Sequence, residues 1–370
     1  ATVLQNSVES VALIYATWLA GGTIVPLNPQ ARGHEVCSLA QHSGARLLVM
    51  DPAFRDINAA MSALHDSDIE VLSAQELCRA STTPLTESCT NDPATLAMLL
   101  YTSGTTGHPK AVMLSHGNIS TNTAAIISYL ELTSHDSVLS VLPFNYSYGS
   151  SVLHTHLASG GTIVLERNLV FPHAIVETMV RENVTGFSGV PSTFALLLSR
   201  VNLGEKNLDS LRYITQAGAA MPVALVEKLR TALPKAKIFV MYGQTEATAR
   251  LSYVPPARLG DKPGSAGIPV PGVDLGIRDE HGRPLQPFVT GEVWARGPNI
   301  MQGYWQDEAA SREVLVDGWL KTGDIGYLDD EGYLFLAGRR SDIIKTGAHR
   351  IHPVEIEEAI APTLGAIRAA

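Results

Sequence analysis

Helix-like and strand-like segments alternate through the first 245 residues, and this alternation constrains the fold more than any other feature of the sequence. Helical patterns near residues 8–19 and from His34 flank short apolar runs. The predicted strands lie at residues 23–26, 45–50, 138–142, 161–165, 185–187, 213–215 and 238–241, and further helices at 172–182 and 223–232. Such alternation is typical of helices layered on a mostly parallel sheet. We therefore expect an α/β fold with two related layered subdomains in residues 1–254.

The composition changes near residue 255 to Gly, Pro, Val and short alternating runs. This predicts a small β-rich subdomain over residues 255–338, with strands at 274–278, 291–296 and 327–337, the last around a turn at 329–332. The segment that follows is polar and turn-like, and a helical pattern begins at 353–360 and is not completed. We therefore expect the sequence to be part of a longer protein.

Charge and cysteine usage exclude several classes of protein. A net charge of -9 argues against nucleic acid as a partner, because phosphates favour clustered Lys and Arg. No apolar run reaches the roughly 18 residues of a membrane-spanning helix, so we expect no transmembrane segment. Cys37, Cys78 and Cys89 form no CxxC pair or metal-ligand pattern. Reduced thiols and a cytoplasmic location are the expectation.

The segment from Thr102 to Lys110 reads TSGTTGHPK and follows an apolar run at residues 96–100. Glycines let backbone N–H groups turn toward an anion, hydroxyls add donors, and the lysine adds a positive charge. The segment predicts a polyphosphate-binding loop, carried by Thr102, Ser103, Gly104, Thr105, Thr106, Gly107 and Lys110. We expect it between a buried strand and an amphipathic helix that begins near Ser115.

This loop is not a Walker motif, because only two residues separate Gly104 from Gly107 and Ala111 follows Lys110. A P-loop NTPase is therefore disfavoured. The alternative interpretation is a solvated surface loop rich in Ser, Thr and Gly.

A second polar cluster follows the strand predicted at residues 238–241. Tyr242 is suited to stack on a base, Thr245 to donate to a phosphate, and Glu246 to bind Mg²⁺, which prefers one or two carboxylates plus phosphate oxygens. Open α/β sheets bind ligands at the carboxyl ends of their strands, which is where this cluster lies. The alternative is an ordinary helix N-terminus capped by Thr245. Farther along the chain, the carboxylate of Asp324 is suited to accept hydrogen bonds from the two hydroxyls of a ribose.

These segments together, and in this order, resemble the AMP-forming adenylate synthetases, which include acyl-CoA ligases, adenylation domains of peptide synthetases and firefly luciferase. The matching segments are residues 101–110, 242–246, 291–293 with 303–305, 322–324, and 338–345 followed by Gly347, Arg350, Pro353 and Glu355. The resemblance covers nearly the whole chain.

The resemblance implies a reaction in two steps. A carboxylate attacks the α-phosphorus of ATP to give acyl-AMP and pyrophosphate, and a thiol then takes the acyl group. That thiol belongs to CoA or, alternatively, to the phosphopantetheine arm of an acyl carrier protein. ATP, Mg²⁺ and CoA are therefore the expected cofactors and substrates, and a small carboxylic acid the expected partner.

The resemblance also assigns roles to residues. The loop with Lys110 would hold the β and γ phosphates, Glu246 would bind Mg²⁺, and Thr245 would contact the α-phosphate, so Lys110, Thr245 and Glu246 are the implied catalytic residues. Asp324 and Arg339 would hold the ribose. The adenine would lie between Tyr242, with Gly243 beside it, and the turn formed by Ala217, Gly218 and Ala219.

The resemblance implies that residues 339–370 are a hinge and the beginning of a mobile α+β C-terminal domain that is largely missing. Ser341 falls at the position of the family's hinge, where Asp or Lys is usual. The adenylating lysine of the family lies near the far end of its C-terminal domain, and the sequence stops at Ala370 before reaching it. The resemblance therefore implies that this chain adenylates poorly by itself, or that by itself it is a nucleotide- and acyl-binding module without turnover.

Residues 143–149 correspond to the family's acyl-pocket gate, in which Tyr146 replaces a histidine found in many acyl-CoA ligases. No acidic residue occurs from Ser137 to Leu165 to pair with the α-ammonium group of an amino acid. A neutral acid, either medium-chain or aryl, is therefore favoured. The predicted pocket residues are Tyr146, Tyr148, Phe187, Gly189, Thr193, Gln216, Gly218, Met241 and Gly243.

Overall fold

The computed structural model describes residues 1–65, 67–80, 89, 92–102, 109–166, 171–340, 344–346 and 349–351. In these residues the helices are α1 (Val8–Leu19), α2 (Gly33–His42), α3 (Ile57–Leu64), α4 (Ala74–Ala80), α5 (His116–Leu130), α6 (Ser147–Ala158), α7 (Pro172–Arg181), α8 (Pro191–Arg200), α9 (Val223–Ala232) and α10 (Glu308–Val314). Short 3₁₀ helices lie at Leu203–Glu205, Thr245–Ala247 and Pro256–Arg258.

The strands of the first half are β1 (Thr2–Val3), β2 (Leu47–Met50), β3 (Glu70–Ser73), β4 (Leu96–Thr102), β5 (Lys110–Ser115), β6 (Ser137–Ser140), β7 (Thr162–Leu165), β8 (Gly186–Gly189) and β9 (Tyr213–Gln216). The later strands are β10 (Lys237–Tyr242), β11 (Ser252–Val254), β12 (Ile268–Pro269), β13 (Asp274–Arg278), β14 (Gly291–Arg296), β15 (Gly303–Tyr304), β16 (Leu315–Val316), β17 (Trp319–Leu328), β18 (Leu334–Arg339), β19 (Ile344–Thr346) and β20 (His349–Ile351).

The largest sheet has seven strands in the order β12-β11-β10-β9-β8-β6-β7. Its strands β7, β6, β8, β9 and β10 are parallel, and β11 and β12 extend it in antiparallel pairing. Helices α7, α8 and α9 pack their apolar residues, such as Ile175, Phe194 and Leu225, against one face. Helix α5 packs Ile126 and Leu130 against the other face. The predicted mostly parallel sheet between helical layers is confirmed here.

A smaller parallel sheet, in the order β1-β2-β3, packs against α2 and α3 through residues such as Leu48, Val36 and Ala60. Residues 23–26 were predicted as a strand, but they form only isolated bridges, Thr2 to Pro26 and Ile24 to Met98. That segment connects the small sheet to the neighbouring sheet, so it is paired too briefly to become a strand of its own.

The β-rich part contains a five-stranded antiparallel sheet, β13-β14-β17-β16 with β18 beside β17. The hairpin predicted around residues 329–332 is present as the connection between β17 and β18. Two strands beyond residue 255 join sheets of the first 254 residues, since β12 pairs with β11 and β15 pairs with β5. The predicted domain boundaries otherwise stay predictions.

Local capping explains where α5 begins. Ser115 Oγ accepts from the backbone N–H of Asn118 at 3.1 Å, and Asn118 Oδ1 accepts from the backbone N–H of Ser115 at 2.9 Å. The Asn118 amide also donates to the carbonyls of Pro298 and Ile300. The N-terminus of α5 is therefore tied to the segment that leads into β15.

Candidate active site

The predicted polyphosphate loop connects two antiparallel strands. Strands β4 and β5 are antiparallel, and Thr102 pairs with Lys110 at the base of the connection. The expectation that a helix follows the loop directly was therefore wrong, because β5 lies between the loop and α5. Ser103, Gly104, Thr105, Thr106 and Gly107 lie outside the described residues. The hairpin nevertheless fixes the two ends of the loop, Thr102 and Lys110.

The turn after β10 presents Thr245 and Glu246 on a 3₁₀ helix. A side chain at Gly243 would overlap the carbonyl of Ala249, so the chain can fold back this tightly only with glycine there. Thr248 has a left-handed backbone (φ 65°), and its hydroxyl donates to the Asn299 carbonyl at 2.6 Å. The residue at the N-cap position is Gln244, so the alternative that Thr245 serves as an ordinary N-cap is wrong.

Glu246 is held by a tyrosine from a distant strand. Tyr304 Oη donates to Glu246 Oε1 at 2.9 Å, and the backbone N–H of Met301 donates to the Glu246 carbonyl at 2.9 Å. Lys110 Nζ lies 4.9 Å from the centre of the Tyr304 ring. Tyr304 therefore connects the predicted phosphate-binding lysine with the predicted Mg²⁺ ligand.

Burial, and after it the negative charge of Glu246, raises the pKa of Tyr304 above its ordinary value. The hydroxyl consequently stays protonated at neutral pH and donates to the carboxylate. One oxygen of Glu246 is oriented in this way, and its other oxygen has no hydrogen-bond partner among those that the described residues provide. Sequence reasoning quoted Tyr304 within a matching motif but gave it no role, because the contact joins residues that are 58 positions apart.

A second group of side chains surrounds Asp324. Tyr242 Oη donates to Asp324 Oδ2 at 2.6 Å, and Arg339 Nε lies 3.2 Å from Asp324 Oδ1. Asp324 and Arg339 are opposite each other in the pairing of β17 with β18, which explains why they meet. Burial raises the pKa of Asp324, an effect that Tyr242 and Arg339 oppose and that the nearby charge of Glu246 reinforces. The predicted base-binding, ribose-binding and Mg²⁺-binding residues therefore lie in one neighbourhood.

The carboxylate of Asp324 retains acceptor capacity for a diol. Each carboxylate oxygen has two lone pairs, and the two protein contacts use only one on each oxygen. Because its hydroxyl is bonded to Asp324, the ring of Tyr242 has a fixed orientation. These residues fit a ribose with an adjoining base.

The turn predicted to face the adenine follows β9, the neighbour of β10 in the sheet. Ala217 is buried, Gly218 has a left-handed backbone (φ 95°), and the Ala219 carbonyl accepts from Gln216 Nε2 at 2.8 Å. Since β9 and β10 are parallel, this turn and Tyr242 lie at the same edge of the sheet. The placement of adenine between them stays a prediction.

The structure separates the predicted acyl-pocket residues onto two faces of the large sheet. Phe187 and Gly189 face α8, where Phe187 contacts Phe194 edge-on at 5.6 Å and a side chain at Gly189 would touch Thr193. Gln216 shares that side by its register with Gly189. These three residues belong to the packing under α8, on the face of the sheet opposite Met241. The predicted gate residue Tyr146 is 51% exposed.

Tyr148 and Met241 lie on the α5 side of the sheet. Tyr148 Oη is hydrogen-bonded to Thr215 Oγ1 at 2.8 Å, and Tyr129 Oη from α5 donates to Met241 Sδ at 3.1 Å. Next to Tyr148 in sequence, Ser147 accepts from Thr245 Oγ1 at 3.3 Å. Tyr148 and Ser147 therefore connect this side of the sheet with the residue that is predicted to contact the α-phosphate.

Two further observations limit what the site can contain. Among the described residues, no group of three or more His, Cys, Asp and Glu side chains could hold a metal ion. Glu246 alone suits Mg²⁺, which is commonly bound by one or two carboxylates together with substrate phosphates. His154 and His156 are buried within α6. Hinge residue Ser341 lies outside the described residues, as does most of the segment after it.

No helix in the described part of the chain combines the length and the apolar character that crossing a membrane requires.

Residues 1–305 match the protein family described as AMP-binding enzyme. Among curated proteins, the chain is 33% identical over 365 residues to an indoleacetate–CoA ligase of Aromatoleum aromaticum, covering 96% of this chain and 71% of that protein. It is 32% identical over 361 residues to a 2-succinylbenzoate–CoA ligase of Bacillus subtilis, covering 97% and 71%. A feruloyl-CoA synthase of Amycolatopsis is 32% identical over 349 residues, covering 94% and 69%.

Solved structures have the same fold as this chain. The o-succinylbenzoate CoA synthetase of Bacillus subtilis in complex with ATP and magnesium superposes with a TM-score of 0.89 at 31% identity, covering 99% of this chain and 74% of that chain. ATP-bound MatB from Rhodopseudomonas palustris superposes with a TM-score of 0.88 at 28% identity, covering 97% and 72%. The predicted mixed α/β core is confirmed.

Proposed function

The chain belongs to the AMP-binding enzyme family, and we propose that it activates a medium-chain or aryl carboxylic acid without an amino group before passing the acyl group to CoA. It is an enzyme of the AMP-forming CoA-ligase type, which uses ATP, Mg²⁺ and CoA. The choice of acid and the roles of individual residues are the proposed part.

The observation that carries the residue assignment is the position of Glu246. Its carboxylate accepts a hydrogen bond from the Tyr304 hydroxyl, and Lys110 lies over the ring of the same tyrosine. The carboxylate is also close enough to Asp324 to raise the pKa of Asp324. Nucleotidyl transfer is promoted mainly by positioning and by neutralising charge. One lysine, one free carboxylate oxygen and one diol acceptor therefore lie where a nucleoside triphosphate needs them.

Four residues have a physical task in this proposal. Lys110 neutralises phosphate charge at the start of β5, and Glu246 would hold Mg²⁺, which supplies further neutralisation when it is bound. Asp324 accepts from the ribose hydroxyls. Thr245 donates its single hydroxyl proton to the α-phosphate in place of Ser147 Oγ, which accepts that proton at 3.3 Å in the structure.

The preference for an acid without an amino group rests on charge. The charged side chain that contacts Tyr148 in the pocket is a guanidinium, that of Arg250, and residues 137–165 contain no carboxylate. An α-ammonium group would be buried without an anion, which is costly. Aryl acids are supported by the relatives, whose names give indoleacetate, 2-succinylbenzoate and ferulate.

The test is acid-dependent exchange of labelled pyrophosphate into ATP, measured on the full-length protein. The panel contains indoleacetate, ferulate, 2-succinylbenzoate, octanoate and phenylalanine, and CoA thioesters are then followed by chromatography. We expect exchange with at least one acid that lacks an amino group and none with phenylalanine. Exchange with phenylalanine alone would overturn the proposed acid class.

Two variants test the residue roles. Glu246→Gln and Lys110→Gln are expected to reduce exchange by at least about 100-fold, because each removes a charge that stabilises the transition state. Lys228→Gln serves as the matched control, since Lys228 is exposed on α9. Equal activity of all three variants would contradict the assignment.

Using a phosphopantetheinylated carrier protein in place of CoA distinguishes the two acceptors. We expect CoA to be acylated at the higher rate, in keeping with the CoA ligases among the relatives.

A further inference from the structure

Arg250 is a buried arginine that no ion pair accounts for. It lies between the 3₁₀ helix at Thr245–Ala247 and β11, and it is only 2% exposed. Several more exposed arginines have carboxylate partners, for example Arg296 with Asp274 and Arg212 with Asp136, at 2.7 and 2.8 Å. Within the described residues, Arg250 has none.

The contacts of the Arg250 guanidinium are few for a group with five N–H donors. One Nη lies 3.5 Å from the Ala249 carbonyl, at the limit of a hydrogen bond, and another donor reaches the Tyr129 hydroxyl. The guanidinium carbon is 4.8 Å from the centre of the Tyr148 ring. Its Nε is buried and has no partner among the groups that the structure describes.

Neither tyrosine supplies the missing negative charge. Burial raises the pKa of Tyr129 to about 12 and that of Tyr148 to about 12, although the charge of Arg250 opposes the shift in both. Both hydroxyls are therefore protonated at neutral pH. Burying a guanidinium without an anion is costly, so an acceptor from outside the described residues would stabilise this arrangement.

The surroundings of Arg250 locate that acceptor. The Tyr148 hydroxyl is hydrogen-bonded to Thr215, and the Tyr129 hydroxyl donates to Met241. The ring of Tyr129 stacks on that of Tyr253 with ring centres 4.1 Å apart. These side chains form the aromatic wall on the α5 side of the sheet. Thr245, the predicted α-phosphate contact, adjoins the same wall through Ser147. A group that reaches Arg250 from the adenylation site therefore belongs to the acyl part of the substrate.

We propose that Arg250 is a specificity-determining residue that binds a second carboxylate, carried at the distal end of the acid that is activated. This inference rests on the proposed function and narrows it to dicarboxylic acids. The planar fork of Nε and Nη matches a carboxylate in two parallel hydrogen bonds.

A purely structural role makes a different prediction. If Arg250 only filled the core, its replacement would reduce stability and would reduce activity with all acids in the same proportion. The ratio of activities within a matched pair of acids therefore separates the two roles.

The experiment measures kcat/KM by pyrophosphate exchange for two matched pairs, 2-succinylbenzoate with benzoylpropanoate and octanedioate with octanoate. In each pair the second acid lacks the distal carboxylate. We expect the wild-type protein to favour the diacid of at least one pair by about 100-fold, because a site built for a polar group rejects the analogue that lacks it.

The variants are Arg250→Met, Arg250→Lys and, as a control, Arg296→Met on the surface. Arg250→Met should lower kcat/KM for the diacid by about 100-fold and change that for the monoacid by less than about threefold. Arg250→Lys should retain part of the preference, since it keeps the charge and loses the fork. Calorimetric binding of Mg·ATP should be unchanged in each variant, which shows that the variant is folded.

Two results overturn the inference: a wild-type preference for the monoacids, or equal loss with both acids of a pair in an Arg250 variant. If Arg250→Met does not fold, the ratio in Arg250→Lys decides. Failure of the proposed function is recognised separately, because the wild-type protein would then show no exchange with any acid of the panel.

Discussion

Replacing Tyr304 with phenylalanine removes one oxygen from the centre of the candidate site and keeps the ring beneath Lys110. The hydroxyl donates to Glu246 Oε1 at 2.9 Å, and Tyr304 is 7% exposed. A hydrogen bond to a charged group contributes about 1.5–3 kcal/mol. At about 1.4 kcal/mol for each factor of ten, kcat/KM for Mg·ATP should fall by roughly 10- to 100-fold.

The assay is pyrophosphate exchange at saturating acid with varied Mg·ATP. Tyr15→Phe is the matched control, because it also deletes a tyrosine hydroxyl. That hydroxyl is hydrogen-bonded to His154 Nδ1 at 2.8 Å and does not contact Glu246. Its kcat/KM for Mg·ATP should remain within about twofold of wild type, the scatter expected from a small change in stability. Equal kcat/KM values in Tyr304→Phe and wild type would refute the claim that Tyr304 positions the Mg²⁺ ligand.

Three further outcomes follow from the geometry. Asp324→Asn should raise KM for ATP by about tenfold and reduce discrimination against 2′-deoxy-ATP, which steady-state kinetics with both nucleotides would measure; unchanged discrimination would place the ribose elsewhere. Gly243→Ala should lower the free energy of unfolding by about 2–3 kcal/mol, measured in urea, because the added methyl overlaps the Ala249 carbonyl. Burial lowers the pKa of His154 from 6.5 to about 4, so its protonation in the folded state costs about 3 kcal/mol. The unfolded chain binds this proton more tightly, so the free energy of unfolding should rise with pH between about 4 and 6.5 and then level off. Urea titration at each pH measures this dependence. If the free energy of unfolding of His154→Gln rises with pH as steeply as that of the wild type, the prediction is wrong.

Local sequence signals predicted much of the layered core. The bounds of α1 and α9 agree with their periodic apolar residues, and α5 begins after Ser115, the cap that its sequence indicates. These features depend on residues within one or two turns of each other, which is why a single sequence reveals them.

Contacts between distant segments were beyond sequence reasoning. Strand β5 was missed because it begins at a lysine assigned to the loop and is stabilised by pairing on both sides, with β4 and β15. The pocket residues were predicted as one set, yet the alternation of side chains along β8, β9 and β10 sends Phe187 and Met241 to opposite faces of the sheet.

The contacts that hold the site together also join distant segments, so the sequence did not reveal them. Tyr304 and Arg250 were given no role, since their contacts with Glu246 and Tyr148 bridge segments separated by many positions. The available signal for Arg250 was a single charge within the otherwise uncharged segment from residue 247 to 254. The pairing of Tyr242 with Asp324 was likewise hidden, although both residues were predicted to bind the same nucleotide.

The measurement that tests the central claim most directly follows oxygen from the acid. The protein is supplied with ATP, Mg²⁺, CoA and an accepted acid labelled with heavy oxygen in its carboxylate, and the nucleotide products are analysed by mass spectrometry. Attack of the carboxylate on the α-phosphorus predicts AMP that carries one labelled oxygen. Formation of ADP with the label in inorganic phosphate would contradict the account.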